Sequence, residues 1–312
     1  MTNNTTLSCE ERLVSLTTSN DDDFRTKQVS LSTSIIVAAL SPVAVVANLL
    51  ILAAIWKRNF LRTPFHILLS GLAFNDLCTG LVAQPLYAAT LLIYSISSTV
   101  ICQTPALVIT IRTIGESAAV AFITMTILTI AVMSIERWLH MSRRSLITWH
   151  SGCLTVLIVL LFGIPMVVVR ILENNHGRTT RLLFIAQILF CYLITLYAHF
   201  KVYQIIRLHK HQVQASTTSH NFGQPAIDLA KYKKSIATMI YILLLFSICF
   251  VPYIISTAMY YGVSRMTLET YFSFRVSVVF LFLSSSLNPA LYIWRMRDIR
   301  HGVKQLRDCF VF

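Results

Sequence analysis

Met133–Trp138, with the sequence Met-Ser-Ile-Glu-Arg-Trp, ends a long apolar run that begins near Pro105. A charged pair is costly inside hydrocarbon, so we expect Glu136 and Arg137 at the boundary between membrane and water. There Glu136 can hold Arg137 through a charge-assisted hydrogen bond, and a signal that separates them would expose a guanidinium. Such a pair is otherwise an ordinary solvated helix end, so its meaning depends on the rest of the chain.

The composition is that of a membrane protein. Of the 312 residues, 55% are hydrophobic and 12% are charged, whereas a soluble domain carries about 25% charged residues. The length suits one helical bundle rather than several domains. Residues 1–30 are polar and lack the apolar core of a signal peptide, so we expect them to form a mobile tail.

Seven apolar stretches follow the tail. Each is long enough to cross about 30 Å of hydrocarbon as a helix. No strand-like alternation recurs, which disfavours a β-barrel. The sequence therefore predicts an all-α membrane protein, with a seven-helix bundle over residues 31–294. The predicted spans are 31–56, 64–93, 105–138, 150–170, 181–207, 232–261 and 271–294.

Basic residues predict the orientation. Four segments on one side of the membrane hold 17 of the 26 Lys and Arg residues. Cytoplasmic loops carry such an excess, so we predict a multi-pass plasma-membrane protein with its N-terminus outside. The net charge of +13 then reflects topology and contact with anionic lipid heads, and we find no nucleic-acid module. The inner segments are 57–63, 137–149, 201–234 and 295–312.

Both ends of the chain carry modification signals. Asn3 and Asn4 each begin an Asn-x-Thr triplet, so we predict glycosylation if the tail is extracellular. At the other end, residues 295–312 predict an amphipathic helix in the inner membrane interface. Cys309 in this segment is a candidate for palmitoylation, with an unmodified thiol as the alternative. The apolar positions of this helix are Met296, Ile299, Val303, Leu306 and Phe310.

Asp76 is the only carboxylate deep in an apolar stretch. It follows Pro64 by 12 residues, which is roughly 18 Å along a helix and near the middle of the membrane. Thr126 lies at a similar depth, counted from Arg137. Such oxygens can hold Na⁺ together with water. The alternative is a buried polar network that only fixes helix packing. The first and seventh helices can add Asn48, Ser284, Ser285 and Asn288.

Five short motifs occur in chain order on the predicted helices. Two contain Pro252 and Pro289, which remove backbone hydrogen bonds and allow a helix to bend. Proline is also simply frequent in membrane helices. In this order and register, the motifs resemble those of rhodopsin-like (class A) G-protein-coupled receptors. They are Asn48, Leu72-Ala-Phe-Asn-Asp76, Glu136-Arg137-Trp138, Phe246-x-x-Cys-Phe250-x-Pro252 and Asn288-Pro289-x-x-Tyr292.

The resemblance implies a mechanism. Arg137, next to Glu136, would contact a heterotrimeric G protein, and Phe246 and Phe250 would relay ligand binding. Asp76 would line a sodium pocket. The residues that would move toward Arg137 are Tyr197 and Tyr292.

The sequence also departs from the family pattern. Trp138 stands where the family has Tyr, and Phe250 stands where it has Trp. Near Tyr232 and Lys233, the start of the sixth helix offers no acid to pair with Arg137. The inter-helix ionic lock of the family is therefore missing, and we expect raised basal activity.

The conserved disulfide of the family is missing as well. Arg112 occupies the position of its first cysteine, and the loop near 170–181 contains no cysteine. Cys9 and Cys102 are the only predicted outer cysteines, and we hypothesise that they pair, since disulfides persist mainly outside the cell. The short second outer loop and a fifth helix without proline resemble the melanocortin-type branch.

Ligand-binding residues are expected between the helices at the outer end. Arg112 and Glu116 are spaced i, i+4, so they either pair with each other or face the pocket. Ala119 stands where amine receptors carry Asp, and Phe282 stands where visual pigments carry the retinal lysine. Amine and retinal ligands are thus disfavoured, whereas a peptide or another small molecule remains open. The predicted ligand-binding set is Gln84, Tyr87, Arg112, Glu116, Ala119, Phe250 and Arg275.

Three other classes of protein are alternatives to a signalling receptor. A transporter would need a path of ionisable residues or an internal repeat, and the chain shows one deep carboxylate and no repeat. An enzyme is disfavoured because neither H-E-x-x-H nor G-x-S-x-G occurs. A receptor-like protein that traffics without signalling stays open, because the second inner loop is short.

Overall fold

The computed structural model describes residues 20–57, 64–96, 105–142, 178–217, 225–262 and 267–310. Within these ranges the chain is helical and contains no strand. A π-helical turn at Thr79–Ala83 joins the second helix to the third. The α-helices are α1 (Asn20–Trp56), α2 (Pro64–Cys78), α3 (Gln84–Ile96), α4 (Pro105–Met141), α5 (Arg178–Thr217), α6 (Pro225–Gly262), α7 (Leu268–Arg295) and α8 (Arg297–Phe310).

These helices account for six of the seven predicted spans and for the terminal amphipathic helix. The helices α2 and α3 form one span with the π-helical turn between them. Five spans in the described ranges are long and apolar enough to cross a membrane, and α6 contributes the shorter apolar segment Leu243–Met259. The predicted fourth span, 150–170, lies outside the described residues, as do Asn3, Asn4, Cys9, Cys102 and the side chain of Cys309.

The first helix begins earlier than the sequence suggested. Residues 20–30, expected to belong to a mobile tail, form the first turns of α1. Three acidic residues, Asp21–Asp23, lie in the first turn, where carboxylates interact favourably with the helix dipole. Lys27 forms an ion pair with Asp23 at 2.8 Å, and the Ser30 hydroxyl is hydrogen-bonded to Tyr271 of α7 at 2.6 Å. These contacts extend the helix beyond its apolar segment.

The helices pack as a bundle around one apolar core. α7 lies between α1 and α6, while α4 packs against α2, α3 and α5. Large apolar side chains such as Ile35, Leu49 and Phe190 remain exposed on the outer surface of the bundle, as expected for a surface that meets lipid. We call the end that carries Arg137 the inner end, after the predicted orientation, and the opposite end the outer end.

The π-helical turn sets the register of the second span. The Gln84 amide donates to the Thr79 carbonyl, which is an i→i−5 bond. Eight residues of regular α-helix would place Asp76 and Gln84 about 80° apart around the helix axis. The extra residue in the π-helical turn compensates for this rotation. Both side chains are fully buried, and Tyr87 is 7% exposed. The turn also precedes Pro85, which has no amide hydrogen to donate.

The seventh span ends sharply and α8 turns back onto α1. A capping box between Thr267 and Thr270 begins α7. At its other end, Arg300 of α8 donates to the carbonyls of Ile293 and Trp294, which lack helical partners. Gly302 allows α8 to approach α1, because an added Cβ would lie 3.1 Å from Ala54. The predicted amphipathic helix is thus confirmed.

Candidate functional site

A buried polar layer surrounds Asp76. Its Oδ2 accepts a hydrogen bond from Asn288 Nδ2 at 2.8 Å, and its Oδ1 accepts one from Thr126 Oγ1 at 3.2 Å. The Ser285 hydroxyl also interacts with this carboxylate. Asn48 donates to the Ser285 carbonyl at 2.9 Å. The residues that the sequence placed at a similar depth in the first, second, third and seventh spans therefore lie together in one layer.

Two details of this layer differ from the expectation. Ser284 donates to Leu281 on its own helix at 2.6 Å, so its hydroxyl is used locally. Asn75, which the sequence analysis quoted in a motif without assigning it a role in this layer, donates to Thr126 at 2.8 Å and to the Phe122 carbonyl at 2.8 Å. Adjacent residues of a helix point about 100° apart, so the position of Asp76 in the layer did not indicate that Asn75 would also face it. The Asn-Asp pair deep in an apolar stretch was the available signal.

The chemistry of the layer suits a small hard cation. Asp76 contributes a carboxylate, Thr126 and Ser285 contribute hydroxyls, and the buried Oδ1 of Asn75 has no hydrogen-bond partner within the described residues. No Lys, Arg or His among those residues forms an ion pair with Asp76. Oxygen donors of this kind are the ones that Na⁺ and similar ions prefer.

The inner end of the third span carries the predicted switch. Glu136 is 2% exposed. Within α4 the charges of Glu136 and Arg137 interact, and the hydrogen bond expected between them stays a prediction. Tyr292 is 3% exposed and lies within electrostatic reach of both Arg137 and Asp76. Tyr292 also follows Asn288, the hydrogen-bond partner of Asp76, by about one helical turn toward the inner end, so it lies between the polar layer and the switch arginine.

Tyr197 lies beside the switch rather than in it. Its ring makes an edge contact with Trp138, with the ring centroids 5.6 Å apart, and Lys201 lies 5.5 Å from the Tyr197 ring. Its side chain is 53% exposed. The departure from Tyr to Trp in the motif thus gives α5 an aromatic partner next to Arg137.

An aromatic column connects α5 and α6. The rings of Phe246 and Phe250 are 4.4 Å apart, and Tyr192 stacks on Phe246 at 5.7 Å. The Tyr192 hydroxyl is also hydrogen-bonded to Ser247 at 3.1 Å. Phe246 and Phe250 are almost fully buried and precede Pro252 by six and two residues, so they pack next to the point where α6 can bend.

Two of the residues expected to bind ligand pair with each other instead. Arg112 Nε lies 2.9 Å from Glu116 Oε1, and the Arg112 side chain is 59% exposed. The pairing alternative, open from the i, i+4 spacing, is therefore the arrangement in the structure.

Other residues expected to bind ligand come together around Arg275. Its Nη1 donates to the Tyr87 hydroxyl at 2.8 Å, and its guanidinium lies 4.7 Å from the centre of the Tyr271 ring. Tyr87 packs against Phe282 at 5.3 Å, and Gln84 donates to the Phe282 carbonyl at 3.2 Å. The second and seventh spans thus form a polar site at the outer end.

A third cluster was not expected from the sequence. At the inner end, Tyr241 of α6 makes an edge contact with Trp294 of α7, with ring centroids 4.9 Å apart. The Arg295 guanidinium lies 5.0 Å from the Tyr241 ring and 5.2 Å from the Trp294 ring. The sequence signal was the Tyr-Ile-Trp-Arg run that ends α7, but its partner on α6 could not be identified from spacing.

Comparisons with known proteins agree with this geometry. The family described as "7 transmembrane receptor (rhodopsin family)" matches residues 47–292. Sphingosine 1-phosphate receptor 1 of Danio rerio is 21% identical over 286 residues, covering 86% of this chain and 75% of the relative. The high-affinity lysophosphatidic acid receptor of Xenopus laevis is 21% identical over 303 residues, covering 86% and 80%. The crystal structure of squid rhodopsin superimposes with a TM-score of 0.71 at 17% identity, covering 91% and 87%.

Proposed function

Because the chain belongs to the rhodopsin family of seven-transmembrane receptors, we propose that it lies in the plasma membrane with its N-terminus outside and couples an extracellular ligand to a heterotrimeric G protein. The resemblance found in the sequence is confirmed, and the chain is a receptor rather than an enzyme. The resemblance to the melanocortin-type branch is not addressed by these relatives and stays a prediction.

The observation that carries the coupling proposal is the position of Tyr292. It lies between the Asp76 layer and Arg137, within electrostatic reach of both. A rearrangement of the layer would therefore change the surroundings of the arginine. We infer that ligand binding favours a bundle state in which Arg137 is accessible, and that a G protein binds that state. Binding at the two ends is then linked in both directions.

For the ligand, we infer an amphiphile related to lysophospholipids. Two relatives are named as receptors for sphingosine 1-phosphate and lysophosphatidic acid. The outer site of this chain combines a cation, Arg275, with the aromatic rings of Tyr87, Tyr271 and Phe282. This chemistry suits a ligand that has a polar head and an apolar body.

We also propose that the Asp76 layer binds Na⁺ in the resting receptor. The supporting observations are the carboxylate without a cationic partner among the described residues and the adjacent unpaired Asn75 oxygen. A bound cation would offset the cost of burying the charge and would join the second, third and seventh spans.

Basal G-protein activation tests the coupling proposal. Cells that express the chain without added ligand would be compared with cells that express Arg137→Ala at a matched surface level. We expect a basal signal that this substitution reduces to background. Arg25→Ala, which changes an exposed arginine at the other end, should keep the signal.

The opposite result is equally informative. If the receptor activates no class of G protein, either without ligand or with added lysophospholipids, coupling is contradicted. The alternative of a trafficking receptor without signalling is then favoured.

A further inference from the structure

The guanidinium of Arg275 has one donor that nothing in the described structure uses. Its Nη1 is bonded to Tyr87, but its Nε is buried and has no hydrogen-bond partner among the described residues. No described carboxylate pairs with it. A half-buried cation without an acidic partner is costly, and a cation–π contact with Tyr271 offsets only part of that cost.

Among the residues that the structure describes, the charges near Arg275 cancel each other, so Arg275 carries the net charge of this part of the site. The described charges within electrostatic reach of Tyr87 and Tyr94 are those of Arg275, Glu116, Arg112 and Asp23. Glu116 is neutralised by Arg112 at 2.9 Å, as is Asp23 by Lys27 at 2.8 Å. An anion that entered beside Arg275 would therefore meet one uncompensated positive charge.

A second unpaired atom lies one turn deeper. Gln84 is fully buried and uses its Nε2 to reach the Phe282 carbonyl, while its Oε1 has no hydrogen-bond partner within the described residues. The π-helical turn is the reason that Gln84 faces the interior below Tyr87. The site therefore offers a cationic donor, and beneath it a neutral acceptor.

We propose that Arg275 binds the anionic group of an amphiphilic ligand, a phosphate or a carboxylate, between α1, α3 and α7. Gln84 accepts a hydrogen bond from a hydroxyl or ammonium group next to that anion. Tyr87 and Tyr271 hold the guanidinium in place, and Ser30 anchors Tyr271 to α1. This inference rests on the proposed receptor function and specifies the chemistry of its ligand.

Direct binding to the purified full-length chain tests this assignment. The receptor would be placed in nanodiscs of zwitterionic phosphatidylcholine, and its unfolding temperature measured against probe concentration. One pair of probes is lysophosphatidic acid and the matching monoacylglycerol, which lacks phosphate. The other pair is oleate and oleyl alcohol, which lacks the carboxylate. The two pairs distinguish phosphate from carboxylate as the preferred anion.

We expect at least one anion to bind about tenfold or more tightly than its neutral counterpart, the scale of one charged hydrogen bond. Arg275→Gln should remove this preference, whereas Arg275→Lys should keep part of it because the charge remains. Arg25→Gln, the same substitution at an exposed outer position, should bind like the wild type. Its unfolding temperature also controls for a general effect of losing an arginine.

Three outcomes would overturn the assignment: no binding of either anion, equal binding of the anion and the neutral probe, or an anion preference that survives Arg275→Gln. The assay contains no G protein. Its failure would leave the coupling proposal standing, just as loss of coupling would leave anion binding intact.

Discussion

At the scale of single residues, Asp76 distributes its two oxygens between neighbouring helices. One oxygen accepts from Asn288 of α7, and the other accepts from Thr126 of α4. Thr126 in turn accepts from Asn75, so one chain of donors ends on the carboxylate. The two oxygens of an ionised carboxylate only accept hydrogen bonds, so they suit all of these donors. An amide in its place would point its own hydrogens at some of them.

The first prediction concerns Asp76 and Na⁺. Exchanging choline chloride for sodium chloride at constant ionic strength should raise the unfolding temperature of the wild type, because the ion binds the folded layer. Asp76→Asn removes the charge and should abolish this response. Asp23→Asn, which removes an acidic charge at the outer end of α1, should retain it. A sodium response that persists in Asp76→Asn would refute cation binding at this layer.

At the scale of elements, the second span depends on one glycine. Gly80 lies in the π-helical turn against α1, where an added Cβ would meet Val45 Cγ2 at 3.0 Å, Ala44 Cβ at 3.1 Å and the Ser41 carbonyl at 3.2 Å. Ser41 also donates to the Gly80 carbonyl at 2.8 Å. Backbones approach closely only where side chains are small, so the turn that orients Gln84 is fixed by this contact.

The second prediction therefore concerns Gly80→Val. Its side chain would overpack the contact with α1 and should lower the free energy of unfolding by about 1–3 kcal/mol. Thermal unfolding of the purified receptor measures this. Ala290→Val introduces the same side chain on the exposed face of α7 and should have little effect. Equal stability of the two variants would show that α1 and the turn are not closely packed in the membrane.

At the scale of the whole molecule, depth was predictable from the sequence and lateral neighbours were not. The rise per residue of a helix placed Asp76, Thr126 and Asn288 in one layer, and they do meet. The π-helical turn could not be derived, because it depends on how the helices pack. The i, i+4 spacing of Arg112 and Glu116 gave their pairing only as one of two alternatives, because it does not show which way the two side chains face. Hydropathy also could not extend α1 back to Asn20, since polar contacts stabilise its first turns.

The inner end shows the same limit. Near Tyr232 and Lys233, where the family resemblance places the partner of Arg137 on the sixth helix, the sequence has no acid, and from this we expect raised basal activity. The structure adds a different connection, between α6 and α7: the Tyr241–Trp294 contact with Arg295 against both rings. Because this cluster joins α6 to α7, it opposes separation of their inner ends. We therefore expect it to limit the basal activity that the missing lock would otherwise allow.

The last prediction follows from this restraint. Trp294→Ala removes the aromatic contact and one cation–π partner, together worth about 1–2 kcal/mol. If they form only in the closed state, the ratio of open to closed receptor should rise about 5- to 30-fold, and basal G-protein activation should rise with it. Phe190→Ala, which removes an exposed aromatic ring from α5, should leave basal activity unchanged.

Adding Arg137→Ala to Trp294→Ala separates a released switch from a misfolded receptor. The double variant should fall to background at matched surface level, because an open bundle still needs the arginine to contact the G protein. Unchanged or lower basal activity in Trp294→Ala alone, at wild-type expression, would mean that the cluster is equally formed in both states. The contacts between α6 and α7 at the inner end would then contribute to stability without setting the balance of states.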